Sequence, residues 1–268
     1  MSWRITPTGG ALGLLDQYGE AAAAYSLRNL SLYYTGNVVR VRRISDNTEQ
    51  DFTATQVTDG TLTTFCGAGN GFVRTWYDQS GNGRNAEQST TANQPQIVSS
   101  GAVLTKGTKP CIAFATSKYF NLITASYTGF SLFSVFDPRI LSSPDSFNIF
   151  IGHGTGTLGT GVRPTLKLYD SGGVFNASAA NSTIALNQQC LLTVTTGTSP
   201  AFLHKNSSLL STVTGAIASK TAYRIGKVGD LSITDDSCGI AEIVFYFSDQ
   251  AANRVAIESN INAHYAIY

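Results

Sequence analysis

A chain of 268 residues is long enough to bury a sizeable core, either in one large domain or in two small ones. Its 18 Lys and Arg against 17 Asp and Glu leave a formal charge of +1, so no long-range field draws it to nucleic acid or to an anionic lipid surface, and neither is expected as a partner. Only 13% of the residues are charged, while Thr, Ser, Asn and Gly are abundant, which suits a neutral hydrogen-bonding surface over a β framework.

The first residues hold no cationic stretch followed by an apolar one, so no secretory signal is expected. No apolar run approaches the roughly 20 residues that span a bilayer, which argues against membrane insertion. Between Met1 and Tyr18, Pro7, Gly9, Gly10 and Gly13 interrupt regular structure. Trp3, Ile5, Leu12, Leu14 and Leu15 follow neither a helix nor a strand period. Residues 1–18 are therefore expected to form an extended arm that buries these side chains at an interface with another copy or a particle surface; an arm wrapped on its own domain is the alternative.

From Gly19, the Ala-rich run containing Ala23, Ala24, Leu27 and Leu30 has helical spacing and predicts a short helix ending near Ser31. Val39 and Val41 alternate with Arg40 and Arg42, a strand with one apolar and one cationic face whose arginines are expected to pair with Asp46, Asp51 or Asp78. Phe72, Arg74 and Trp76 alternate with Val73, Thr75 and Tyr77, predicting a strand that divides Trp76 and Tyr77 between core and surface. The strand runs into Asp78-Gln79-Ser80-Gly81-Asn82-Gly83-Arg84, where glycines permit a tight turn and polar side chains gather. Two readings stand side by side: a plain turn, or a ligand-binding loop of Tyr77, Asp78, Gln79, Asn82 and Arg84.

Short apolar runs bounded by Gly, Pro, Asn or Ser then recur, including QIVSSGAVL, CIAFAT, FSLFSVFDP, FNIFIG, PTLKLYD, GGVFNAS, CLLTVTTG, AFLHK, LLSTVTG and AYRIG. This rhythm predicts an all-β sandwich or jelly roll, and the lack of a fixed repeat argues against propellers and solenoids. GIAEIVFYF predicts a last strand apolar on both faces with Glu242 inside it. Ser248 or Asp249 is then expected to cap a helix carrying Ile257, Ile261 and Tyr265 on one face. Cys66, Cys111, Cys190 and Cys238 form no CxxC pair; two disulfides are possible by count, and buried free thiols are the expected state. His153, His204 and His264 stand apart, which favours structural roles. The glycines of IGHGTGTLGTG precede strands rather than a helix, which argues against nucleotide binding.

The last strand and helix resemble the end of concanavalin A-like, laminin-G-type sandwich domains. The stretches AAAAYSLRNLSLYYTGNVVRVRRISDN, FCGAGNG and TWYDQSGNGRNA resemble the amino-terminal half of the α-L-arabinofuranosidase B catalytic domain, over roughly Ala21 to Asn121, with a further match from Tyr223 to Tyr268. The resemblance implies an all-β, concanavalin A-like jelly-roll β-sandwich with short peripheral N- and C-terminal helices, as a single domain over residues 19–268. It also implies where chemistry would lie. Retaining glycosidases use two carboxyl groups about 5 Å apart. In YTGFSLFSVF, Thr128 stands where the family carries its nucleophilic Glu, and Asp230 in KVGDLSITDD matches the family's acid/base Asp. Hydrolysis is accordingly not expected, and Asp230 joins the ligand-binding candidates. Asp230, Asp235 and Asp236 could offer oxygens to Ca²⁺ as loops of laminin-G-like domains do, but without an EF-hand loop pattern exposed turn acids account for them better, and no cofactor is expected.

Arabinofuranosidase-like segments joined to such a sandwich, without a signal peptide, resemble parts encoded by tailed phages. The implied function is a non-enzymatic virion surface or structural protein, a capsid decoration, fibre or tail component. It would be made in the host cytoplasm and carried on the virion surface, with other virion proteins or itself as partner, and its lectin-like sandwich could bind a cell-surface glycan. A free carbohydrate-binding module and an arabinofuranosidase-like glycoside hydrolase are the alternatives.

Overall fold

A computed structural model describes residues 12–115, 117–127, 129–138, 148–153, 160–162, 187–197, 200–213, 220–226 and 238–268. Two layers of antiparallel strands account for most of them. The first sheet runs from Ser208–Val213 through Ala201–Lys205, Cys190–Thr196 and Phe130–Pro138 to the last strand, Cys238–Tyr246. The outer edge of that last strand is shared end to end by Ala23–Ser26 and Ile112–Phe114. The second sheet begins with Glu49–Phe52, Val39–Arg43 and Gly71–Trp76 and reaches Ala86–Glu87 and Gln96–Ser99. It continues through Phe120–Tyr127, Lys220–Ile225, Asn148–His153 and Thr160–Val162. Ala113 opposite Gln96 joins the sheets at one corner.

The alternation of side chains fixes this arrangement. Phe130, Leu132 and Phe136 face the inter-sheet core with Ile243, Phe245, Val39, Val41, Val73, Trp76 and Phe120. Phe133 and Val135, on the opposite face of the same strand, meet Val244, Tyr246, Leu14 and the closing helix Arg254–Tyr265 through Ile257, Ile261 and Tyr265. The first sheet is thus covered on both sides, which is why Cys190–Thr196 and Cys238–Tyr246 are buried along their whole length. Period-2 patterning with both faces apolar is the signature of such a central layer. The all-β sandwich expected from the sequence is what forms.

Several local expectations are corrected. The Ala-rich run is not a helix: Ala23–Ser26 is a strand paired with Phe245–Glu242. Ala and Leu favour a helix locally, but here the small side chains let the segment lie edge-on to the last strand between two packed layers, and tertiary pairing overrides propensity. Two short helices go unread in the sequence, Ala54–Thr58 and Thr61–Cys66; the first has a capping box in which Thr53 and Gln56 satisfy one another's backbone N–H groups. The closing helix starts at Arg254 rather than beside Ser248, because Asp249 closes a turn by accepting from the Ala251 N–H. In the lead-in, residues 14–17 form one helical turn rather than an extended arm, and Leu14 is fully buried within its own chain. Its neighbour Leu15 donates its backbone N–H to the Leu30 carbonyl, and Leu12 is partly buried. Trp3 and Ile5 lie outside the described residues. All four cysteines are buried free thiols, with burial pushing Cys66 up to about 11 and Cys190 up to about 12.

Candidate functional site

The polar turn after Gly71–Trp76 closes inward. Asp78 is buried and its carboxylate accepts from the backbone N–H groups of Ala24, Ser80 and Arg84 and from the Ser80 hydroxyl, at 2.8–3.0 Å. Gln79, also buried, accepts from the Leu30 N–H and donates to the carbonyls of Ser26 and Arg28. Asn82 donates to the carbonyls of Ala21 and Ala22, and Arg84 reaches the Ala22 carbonyl at 2.7 Å with its guanidinium over the Phe247 ring. Gly81 and Gly83, at φ 87° and 67°, supply the left-handed backbone this closure needs. Of the side chains offered as a ligand-binding cluster, Asp78, Gln79, Asn82 and Arg84 clamp the segment Ala21–Leu30. The sequence cannot distinguish the two, because their partners lie some fifty residues upstream.

Tyr77 is the outward member of the pair. Its hydroxyl donates to Asp51 at 2.6 Å, and Arg40 grips the same carboxylate at 2.9 and 2.8 Å. The Arg40 guanidinium holds Asp51 below the usual carboxylate range, while burial and then Asp51 push Tyr77 up to about 12. Arg43 pairs with Asp46, as the strand's charge pattern suggested, whereas Arg42 turns to Gln94 and Asn47 and stacks on Phe72. Asp78 takes no part in this pairing.

A second polar cluster lies at the other end of the clamp. Glu242 is fully buried on the last strand and accepts from Arg28 through both oxygens, at 2.8 and 3.0 Å, and from the hydroxyls of Ser26 at 2.8 Å and Tyr265 at 3.2 Å. A bulge in the last strand opposite Val135 and Phe136 is what aims it there: Ile240 and Ile243 face the inter-sheet core, while Ala241 and Val244 face the helix. Burial opposes the charge on Arg28, but Glu242 outweighs it and holds the guanidinium above its ordinary pKa. Above this pair opens a pocket of about 490 Å³ between Leu27–Asn29, the helix Ala54–Thr58, Thr108–Pro110 and the end of the closing helix at His264 and Tyr265. Burial, then Arg28 and Lys109, depress His264 to about 4. Sequence reasoning placed Glu242 within its strand and gave His264 a structural role, but attached none to Arg28 or Lys109, since nothing in their spacing brings them together.

The His264 shift has a consequence for stability. Between its ordinary value of 6.5 and about 4 the unfolded chain binds the proton that the folded chain refuses, so this group's contribution falls as pH drops through that window. Urea midpoints at pH 7.5 and 4.5 should differ less in a His264→Gln variant than in the wild type; an unchanged difference would show that His264 titrates normally.

Thr128, Asp230, Asp235 and Asp236 lie outside the described residues, and so does the proposed contribution of Asp230 to a Ca²⁺ or glycan site. Among the described residues no cluster of three or more His, Cys, Asp or Glu could hold a metal. No described helix is long and apolar enough to cross a membrane.

Residues 18–146 match the family model described as alpha-L-arabinofuranosidase B, catalytic. Among curated proteins none matches by sequence. Among solved structures, an arabinofuranosidase complexed with arabinofuranosyl-alpha-1,2-xylobiose superposes with a TM-score of 0.69 at 18% identity. A GH54 α-L-arabinofuranosidase soaked with a cyclic sulfate inhibitor gives 0.73 at 16%. Each similarity covers 94% of this chain but 65% of the other, so the chain spans about two thirds of those enzymes' length. Domain 4 of AbnA, a GH43 extracellular arabinanase from Geobacillus stearothermophilus in complex with arabinotriose, gives 0.50 at 12% over 68% of this chain and 91% of that one. The match to a catalytic-domain model overturns the expectation of a non-enzymatic virion protein. Over residues 18–146 this chain resembles the arabinofuranosidase B catalytic domain, and its sandwich is the fold of the arabinofuranosidase structures it superposes on.

Proposed function

We propose that the chain is an arabinofuranosidase-type glycoside hydrolase domain that acts on α-L-arabinofuranosyl groups of glycans. The observation that carries this reading is the match of residues 18–146 to the arabinofuranosidase B catalytic model, supported by one sandwich fold over 94% of the chain. Glycoside hydrolysis needs a pair of carboxyl groups. No Glu occurs between Glu87 and Glu242, and Thr128 occupies the position that the resemblance gives to the nucleophile. Asp78, Glu242 and Glu258 are held in internal hydrogen bonds. In the stretch between Glu87 and Glu242 the carboxyl candidates are therefore aspartates, with Asp230 as the acid/base. Purified protein should release 4-nitrophenol from 4-nitrophenyl α-L-arabinofuranoside, and Asp230→Asn should abolish that release; equal turnover by both proteins would remove the assignment.

The missing Glu also favours a second reading, a domain that binds arabinofuranosyl glycans without cleaving them. Saturable binding of arabino-oligosaccharides with no release of arabinose would select it.

A further inference from the structure

We propose that the pocket between Leu27–Asn29, Ala54–Thr58, Thr108–Pro110 and the end of the closing helix binds a carboxylated sugar, a uronic acid residue, with Lys109 meeting its carboxylate. This inference does not rest on the arabinofuranosidase reading. The cavity, about 490 Å³, lies in the size range of small-molecule sites. Its polar wall offers the hydroxyls of Thr55, Thr58 and Thr108 and the amide of Asn29, groups that match sugar hydroxyls, while Leu27, Ala54, Pro110 and the Tyr265 ring supply apolar surface.

The charge of the wall selects the ligand. Arg28, Lys109 and His264 line the pocket, and among the described residues no Asp or Glu does. Glu242 lies behind the wall, fully buried, with its oxygens committed to Arg28, Ser26 and Tyr265, so it neutralises Arg28 and no more. Lys109 has no carboxylate partner among the described residues, which leaves one uncompensated positive charge. Among the described residues, the elements packed around His264 bring these ionisable groups to it: Arg28 from the Leu27–Asn29 loop, Lys109 from the short hairpin of Thr105–Lys106 and Lys109–Pro110, Glu242 from the last strand and Tyr265 beside it, its ring centroid 4.7 Å from the imidazole. Burial, with the two cations beside it, holds the His264 pKa down. A bound carboxylate would reverse that balance and draw a proton onto the imidazole.

Methyl β-D-glucuronide titrated into the full chain should bind saturably by calorimetry and raise the His264 pKa, read from its imidazole resonances by NMR. Methyl β-D-glucoside should not bind. Lys109→Gln, a half-exposed hairpin change, should weaken glucuronide binding about tenfold or more with an unaltered melt. Three results would overturn the proposal: no glucuronide binding, binding that Lys109→Gln leaves untouched, or a His264 pKa that stays put at saturation. Acetate binding as tightly as the glucuronide would overturn the sugar assignment by reducing the pocket to a bare anion site. A chain inactive on arabinofuranosides yet binding glucuronide would fail the hydrolase reading alone.

Discussion

Replacing Glu242 with alanine is expected to destabilise the fold by about 3–5 kcal/mol, because it leaves the Arg28 guanidinium largely buried without its counter-charge. The Arg28 side chain is only 16% exposed and Glu242 is not exposed at all, so water cannot restore the lost partner. The change also removes an acceptor from Ser26 and from Tyr265, which separates three segments at once: the Ala23–Ser26 strand, the last strand and the closing helix. A double replacement, Arg28→Met with Glu242→Leu, should cost much less than either single truncation, since no charge is then stranded. Urea unfolding of the three variants measures this. A single-mutant loss below about 1 kcal/mol would mean that the pair is solvated and not the tie described here.

That cluster marks the limit of what the sequence discloses. The last strand and its internal glutamate are legible from alternation alone, and so is the apolar face of Ile257, Ile261 and Tyr265. The partner of the glutamate is not, since Arg28 lies more than two hundred residues earlier and a bulge at Ala241–Glu242 shifts which residues face the helix. A one-residue irregularity reverses a face, and alternation carries no signal of it. The helices at Ala54 and Thr61 are a different kind of omission. The Thr53-Ala-Thr-Gln56 capping box is plain in the sequence and announces the first of them.

The polar turn shows why composition could not choose between a site and a scaffold. Asp78, Gln79, Asn82 and Arg84 are residues that bind sugars and equally residues that cap backbone groups; the choice depends on what the fold brings opposite them. Here it brings the segment Ala21–Leu30, whose strand misled by its alanines. The clamp and the alanine-rich strand share one cause. A segment with little side-chain volume and unpaired backbone groups needs partners from elsewhere, and the turn supplies them.

Truncating Trp76 to alanine should cost about 3–5 kcal/mol, the range for large aromatic residues removed from a packed core. Its side chain is wholly buried, and its ring centroid lies 5.7 Å from that of Tyr25 and 6.3 Å from that of Phe120, so it links the clamped amino-terminal strand to the Phe120–Tyr127 strand of the second sheet. Neither neighbour can fill the space, because Tyr25 is anchored by its hydroxyl to the Arg84 carbonyl and Phe120 is packed edge-on against Phe114. Trp76→Phe should lose less, by keeping part of the aromatic volume. Tyr77→Phe, one residue along, supplies the contrast. It removes a hydroxyl bonded to Asp51 on the half-exposed face and should cost only about 0.5–1.5 kcal/mol. Thermal and urea melts of the three proteins test the division of this strand into an inner and an outer face. Equal losses for Trp76→Ala and Tyr77→Phe would contradict it.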